Sequence, residues 1–359
     1  MNQRDSGGGT ATQNPDAHFA LLHVIRDFMR ILVSGASGFI GSGLVQTLAA
    51  NGHEVLALMR PSASAPYLKG TPFTRITGDI LDRDSLQRAC QNVDVVFHLA
   101  GLTAARSREE FFKFNAEGTK NLAQAAAGAK VSRFVFVSSL AASGPSVSLS
   151  PKTEVEPALP VSMYGESKLR GELYLDELKG ELPFIVIRPP MVYGPRDRNV
   201  YLFFKSIQKN WLPILPARST TGHKYYSAIH VDDLVQVLVR SLDAPTLAFE
   251  AGERFHVSDG QIYTYERIMG IISSELKVNP IKLRLPGGLV SALATGGTLA
   301  GKLLNRSLPL NRDKLNELIP DYWICSTQKA LDQLTFKPKY TLETGIPHTV
   351  AWYKINGWL

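Results

Sequence analysis

From Arg30 to Ile187 the chain alternates between two hydrophobic patterns. Short, almost continuous runs of Val, Ile, Leu and Phe occur in RILVSG, EVLALM, VDVVFHLA, RFVFVSS and PFIVIRPP, with the more polar FTRITGD among them. Between them lie segments, opening near Ile40, Ser85, Glu109 and Met163, whose apolar residues recur every three to four positions. Continuous apolar runs of this length read as strands covered on both faces, and the 3.6 period reads as helix. Strand and helix in alternation predict a doubly wound parallel α/β sheet. After Tyr193 the pattern becomes mixed, with more aromatics, Pro and short elements, as expected of a smaller mixed C-terminal lobe that closes over a ligand.

The ends carry weaker patterns. Residues 1–28 hold a Ser-Gly-Gly-Gly-Thr run and a short apolar patch without a long apolar core or small-residue cleavage site, so this segment reads as a flexible extension. Met29, directly before the first strand, would itself make a natural start. The run from Leu285 to Ala300 carries four glycines, is flanked by Arg284 and Lys302 and is shorter than the roughly 20 residues of a bilayer span, so it reads as an amphipathic or buried helix, with no transmembrane segment expected.

Composition narrows the classes. The chain of 359 residues is 44% hydrophobic and 20% charged, as for an ordinary globular protein. Two cysteines exclude a disulfide framework and a Cys-rich zinc site, and they fit a reducing compartment, so a cytoplasmic location is expected. The net charge of +7 leaves nucleic acid, an anionic membrane surface and an anionic small ligand open. Lys and Arg are spread along the chain among acids, which disfavours nucleic acid. Metal-ligand spacing, a nucleophile elbow and a P-loop are all absent from the sequence, so no metal site is expected.

One segment changes the picture. The first strand runs into Gly35-Ala36-Ser37-Gly38-Phe39-Ile40-Gly41, which opens an apolar-periodic helix. Gly35 permits the tight turn, Gly38 lets the backbone approach a pyrophosphate at the helix N-terminus, and Gly41 permits close packing of helix on strand. The expected organisation is therefore a dinucleotide-binding Rossmann domain over residues 29–195 and a substrate lobe over 196–359, some of whose segments return to the sheet. The second strand ends in Leu58-Met59-Arg60, where an acid would hold an NAD ribose. Arg60 offers a cation and a planar fork for a 2′-phosphate, so NADP is favoured, with NAD as the alternative.

Tyr164 and Lys168 stand one helical turn apart on one face. With 12 tyrosines the spacing alone is expected about half a time by chance, and Tyr201 with Lys205 is a second match. Tyr164 lies about 25 residues after the strand ending Ser138-Ser139 and before the one ending at Pro189, whereas Tyr201 lies in the lobe and reads as a packing residue. A phenol exchanges protons poorly at neutral pH, so a neighbouring ammonium is needed to lower its pKa. Lys168 would supply that charge and bind the nicotinamide ribose, and a serine hydroxyl would hold the substrate oxygen.

The spacing of the glycine turn, together with Tyr164 and Lys168, resembles the extended short-chain dehydrogenase/reductase superfamily, in the branch of the NAD-dependent epimerase/dehydratase family. The resemblance runs from about Met29 to the C-terminus, strongly to Pro195. It implies roles for further positions. Ser139, five residues before Gly144, matches the catalytic Ser/Thr, leaving Ser138 to face the cofactor. Asp79 and Ile80 match an adenine-contacting pair, and Leu99, Ala100 and Gly101 a small-residue segment against the cofactor. Asn115, in Asn115-Ala-Glu-Gly-Thr-Lys-Asn121, matches a proton-relay or cofactor-side position, and Pro189 and Val192 a segment along the nicotinamide. His230 and Asp233 match a structural block, and a homodimer is implied by analogy.

The reaction divides into readings. In the first, hydride passes between NADP and a ketone or secondary alcohol; in the second, bound cofactor epimerises a nucleotide sugar; in the third, the fold is a non-catalytic scaffold or sensor, against which stands an intact Ser139-Tyr164-Lys168 set. Leu140-Ala141 stand where the family's sugar dehydratases carry Asp-Glu, and Tyr226 where its sugar-nucleotide members carry a diphosphate-gripping Arg. These departures and Ser143 resemble the dihydroflavonol-reductase and hydroxysteroid-dehydrogenase group, and the apolar 285–304 run suits an apolar substrate. Arg218, His223 and Lys224 keep an anion site open.

Overall fold

The computed structural model describes residues 28–214, 216–303 and 311–359, so most of the expected N-terminal extension lies outside the described residues. The first half interleaves β1 (Arg30–Ser34), α1 (Phe39–Ala50), β2 (Glu54–Met59), β3 (Thr74–Thr77), α2 (Arg83–Ala89) and β4 (Val95–His98). There follow α3 (Arg108–Phe111), a π-helical stretch over Phe112–Glu117, α4 (Gly118–Gly128), β5 (Arg133–Val137), α5 (Leu140–Ser143), α6 (Met163–Asp176) and β6 (Phe184–Arg188). The second half holds β7 (Met191–Tyr193), α7 (Tyr201–Gln208), β8 (Trp211–Ile214), β9 (Tyr225–Tyr226), β10 (Ala228–His230), α8 (Val231–Arg240), α9 (Thr246–Glu250) and β11 (Arg254–His256). It closes with β12 (Tyr263–Thr264), α10 (Tyr265–Leu276), β13 (Ile281–Arg284), α11 (Gly287–Leu303), α12 (Arg312–Leu318), β14 (Tyr322–Trp323), α13 (Gln328–Gln333) and α14 (Leu342–Ile355).

Seven strands form one parallel sheet in the order β11-β6-β5-β4-β1-β2-β3. Side chains alternate across each strand, so β1 sends Ile31 and Val33 to one face and Leu32 to the other. The first face packs on Leu44, Val45 and Leu48 of α1 and Leu234 and Leu238 of α8; the second packs on Leu122 and Ala126 of α4 and Leu175 of α6. Two covered faces explain why the strands read as continuous apolar runs. The order reverses between β1 and β4, and ligands of such sheets bind in the crevice at the strand C-termini beside that reversal.

The second lobe has its own core, built on Tyr193, Phe204, Tyr263, Ile268, Ile346 and Tyr353. Three small sheets, β10-β7, β12-β9-β14 and β13-β8, frame it. Its chain also returns to the main sheet: β11 pairs with β6 in the register Phe255 to Ile187. In α11, Val290 and Ala294 are buried while Leu289 and Leu293 are exposed, the amphipathic arrangement that the sequence suggested. Among the described residues no helix is long and apolar enough to cross a membrane.

Candidate active site

The turn after β1 is shaped by backbone contact. Gly35 has φ of +72°, and a Cβ there would lie 2.8 Å from the Ala100 nitrogen. A Cβ on Gly41 would lie 2.1 Å from the Gly35 carbonyl oxygen, so neither position admits a side chain. Gly38 opens α1 in extended conformation without a side-chain cap, and its own N–H donates to the Gly35 carbonyl at 3.0 Å. The first-turn amides, around Phe39 and Ile40, are thus left for an anion at the positive end of the helix. Ser37 lies half-buried on the same turn. These residues fit a dinucleotide pyrophosphate.

Arg60 is exposed just past β2. A second guanidinium, Arg75 of β3, donates to the Arg60 carbonyl at 2.8 Å and to that of Pro61 at 3.0 Å, and so fixes the backbone that carries Arg60. Beyond β3, the Asp79 carboxylate accepts from the Leu81 N–H at 2.9 Å and Asn121 donates to the Ile80 carbonyl at 3.2 Å. Leu99, Ala100 and Gly101 follow β4 directly over the glycine turn. Asn115, fully buried in the π-helical stretch, accepts from the Leu102 N–H at 2.7 Å and donates to the Leu102 carbonyl at 2.9 Å and to Ser167 at 3.0 Å. Its amide therefore locks the loop after β4 onto α6, and π-bulges of this kind recur at functional sites.

Two candidate side chains face each other at the C-terminal end of the sheet, and a third stands one helical turn further along α6. Ser139 caps α5, its hydroxyl accepting from the Ala141 N–H at 3.1 Å, and it faces the Tyr164 phenol. Burial pushes that phenol up to about 12, while the hydrogen bond with Ser139 pulls it back. Phe111 packs on the ring at 6.0 Å. Lys168, one turn on, donates to the Val137 carbonyl at 2.8 Å and stands 4.2 Å over the Phe136 ring. Burial draws its ammonium down to about 7, against the opposing pull of Glu172.

Ser138 is placed differently from the expectation. Just past β5, Ser138 is buried and its hydroxyl donates to Glu172. Pro189 is buried, its carbonyl accepting from the Leu140 N–H at 2.8 Å, and Val192 is half-buried on β7. Tyr201 packs between Tyr353 and Trp358, 5.1 and 5.0 Å away, far in the fold from this constellation. His230 is fully buried and caps α8, and Asp233 accepts from the Lys339 and Tyr340 N–H groups.

Several supporting residues gave no sequence signal. His98 of β4 bridges Ser34 at 2.7 Å and Thr119 at 2.9 Å beneath the glycine turn. Asp313 of α12 accepts from the Met163 N–H at 2.5 Å and caps the helix of Tyr164 and Lys168 from the other lobe. Of the residues considered for an anion site, Lys224 is buried in an ion pair with Asp321 at 2.8 Å and His223 pairs with Glu266 at 3.1 Å.

A model of the NAD dependent epimerase/dehydratase family matches residues 31–257. The chain is 31% identical over 333 residues to "Ceramide reductase" of Caulobacter vibrioides, spanning 92% of this chain and 96% of the relative. It is 27% identical to "Sterol-4-alpha-carboxylate 3-dehydrogenase, decarboxylating" of Dictyostelium discoideum, over 78% of this chain and 87% of the relative. In fold it is similar to the solved UDP-glucose 4-epimerase of Thermotoga maritima, with a TM-score of 0.72 at 24% identity, covering 91% of this chain and 99% of that one. The chain belongs to the NAD dependent epimerase/dehydratase family, within the extended short-chain dehydrogenase/reductase superfamily, and is an NAD-dependent oxidoreductase or epimerase.

Proposed function

We propose that this enzyme transfers hydride between a nicotinamide cofactor, preferentially NADP, and a ketone or secondary alcohol on an apolar substrate. The observation that supports the reading is the Ser139 hydroxyl facing the Tyr164 phenol, with Lys168 one helical turn on and its ammonium at the end of β5. The nicotinamide, when bound, supplies or accepts the hydride. Ser139 holds the substrate oxygen, and Tyr164 donates a proton to it in reduction and takes one in oxidation. Lys168 binds the ribose hydroxyls, and its charge eases the phenol's loss of a proton. Gly35, Ser37, Gly38, Phe39, Ile40 and Gly41 would hold the pyrophosphate, Asp79 and Ile80 the adenine, and Arg60 a 2′-phosphate. Leu99 to Gly101, on the loop that Asn115 fixes, would flank the nicotinamide together with Pro189 and Val192.

Carbonyl chemistry is favoured over a nucleotide sugar because Lys224 and His223, two of the three residues considered for an anion site with Arg218, are already engaged by acids. The similarity to a relative named for ceramide reduction supports the same class.

A screen of ketones for NADPH consumption tests the reading. Tyr164→Phe is expected to lower kcat/KM at least about 100-fold, the scale of one lost general acid, and survival of the rate would move the site elsewhere. Tightly held cofactor released only on denaturation, without ketone turnover, would support epimerisation. Arg60→Asp is expected to reverse the NADPH over NADH preference in KM; equal preference in both proteins rejects the 2′-phosphate role.

A further inference from the structure

Glu172 lies one turn beyond Lys168 on α6, with no exposed surface. Its carboxylate is a junction of elements. Oε1 accepts from the Ser138 hydroxyl, just past β5, and from Arg188 Nε of β6 at 3.0 Å. Oε2 accepts from Arg188 Nη2 at 2.6 Å and lies 3.8 Å from Arg254 Nε of β11. Ser138 and Arg188 are the chain neighbours of Ser139 and Pro189. Val137, on the other side of Ser138, accepts the Lys168 ammonium at 2.8 Å. A single carboxylate thus ties the helix of Tyr164 and Lys168 to the strand ends of Ser139 and Pro189.

Packing alone does not account for it. A buried Arg–Glu pair loses the solvation of both ions, and apolar residues of equal volume commonly stabilise as well or better. What an apolar pair lacks is direction: charge-assisted hydrogen bonds fix relative position to a fraction of an ångström, the tolerance that a proton-transfer site needs. We propose that Glu172 is a positioning residue for hydride transfer, holding α6 in register with β5 so that Ser139 faces Tyr164. The proposal rests on the triad reading above.

The charges around Lys168 add a readout in pH. On β4, His98 stacks on the same Phe136 ring and stays neutral, pushed by burial down to about 3. Arg188 and Arg254 flank Glu172 from β6 and β11, and Asp176 of α6 is ion-paired with Arg254 at 2.6 Å. Glu172 is the carboxylate that raises Lys168. Replacing it with an amide leaves the effect of burial on the ammonium unopposed.

The test compares full-length Glu172→Gln, Glu172→Asp and Ser138→Ala with wild type, reading NADPH binding by fluorescence from pH 6 to 10 and turnover on the ketone that the screen identifies. In Glu172→Gln, kcat is expected to fall about tenfold, and the alkaline loss of both turnover and NADPH affinity to begin about one pH unit lower. Glu172→Asp keeps the charge with a shorter reach, so the pH limb is expected to return towards wild type while kcat stays low. Ser138→Ala cuts only the tie to β5; kcat is expected to fall about fivefold with the pH limb unmoved. A folded Glu172→Gln protein with wild-type kcat and pH profile overturns the proposal. Should that variant fail to fold, wild-type kcat in Ser138→Ala overturns it. An active Tyr164→Phe enzyme would instead sink the triad reading, so the two failures are distinct.

Discussion

His98 shows how a single polar residue can serve the interior of a parallel sheet. Both ring nitrogens are bonded, to Ser34 and Thr119, and Thr119 in turn donates to the Asn115 carbonyl at 2.7 Å, so a continuous chain runs beneath the glycine turn to the π-helical stretch. Burial pushes the imidazole down to about 3. Between pH 6.5 and 3 the unfolded chain therefore takes up a proton that the folded one refuses, and stability falls by up to about 1.4 kcal/mol per pH unit from this group. Asp197 and Asp259, raised to about 6 by burial, act with the opposite sign over part of that window, so the comparison must isolate one residue. In His98→Asn the loss of urea-unfolding stability from pH 7 to pH 5 is expected to be smaller than in wild type; an equal loss in both proteins rejects the account. At this scale the sequence singled out Tyr164 and Lys168 through their spacing and strand context, and Ser139 and Asn115 through the family resemblance. The bonds of Asn115 to Leu102 were not legible, because an amide's partner depends on the loop that folds over it.

Among the elements, α6 carries the most chemistry and is held at both ends of its active face. Ser162 caps it in the usual way, accepting from the Gly165 N–H at 3.0 Å, and donates to Glu317 of α12 at 2.9 Å. Asp313 of the same α12 adds a carboxylate at the positive helix end, which favours it by charge as well as hydrogen bonding. The second lobe thus supports the helix of the catalytic candidates. Asp313→Ala is expected to cost about 0.5–2 kcal/mol, the range for a lost cap, and to lower kcat several-fold while NADPH affinity holds. Unchanged stability and kcat would show that α12 merely lies alongside. Most strands and helices of the first half were legible to within a few residues. The π-helical stretch at Phe112–Glu117 was not, since its apolar spacing continues the helical period and the extra residue per turn comes from Asn115 engaging the neighbouring loop.

For the whole molecule, the division between a dinucleotide domain and a substrate lobe is a division of tasks more than of chain. β11 completes the sheet beside β6, and α8 covers α1 through Leu234 and Val235, so residues after 195 supply part of the first domain's core. The sequence by itself determined the alternating parallel architecture, the glycine turn and the pairing of Tyr164 with Lys168. Each of these is written in residues a few positions apart, where steric limits on Cβ and helical or strand periods act directly. Only the tertiary structure decided that Ser138 turns inward to Glu172, that Lys224 is consumed by Asp321 across 97 residues, and that Asp313 caps α6 across 150. Such pairings leave no periodic trace. A buried charge takes whichever counter-charge the packing of distant elements brings within reach, because leaving it unpaired costs more than any local preference can offset.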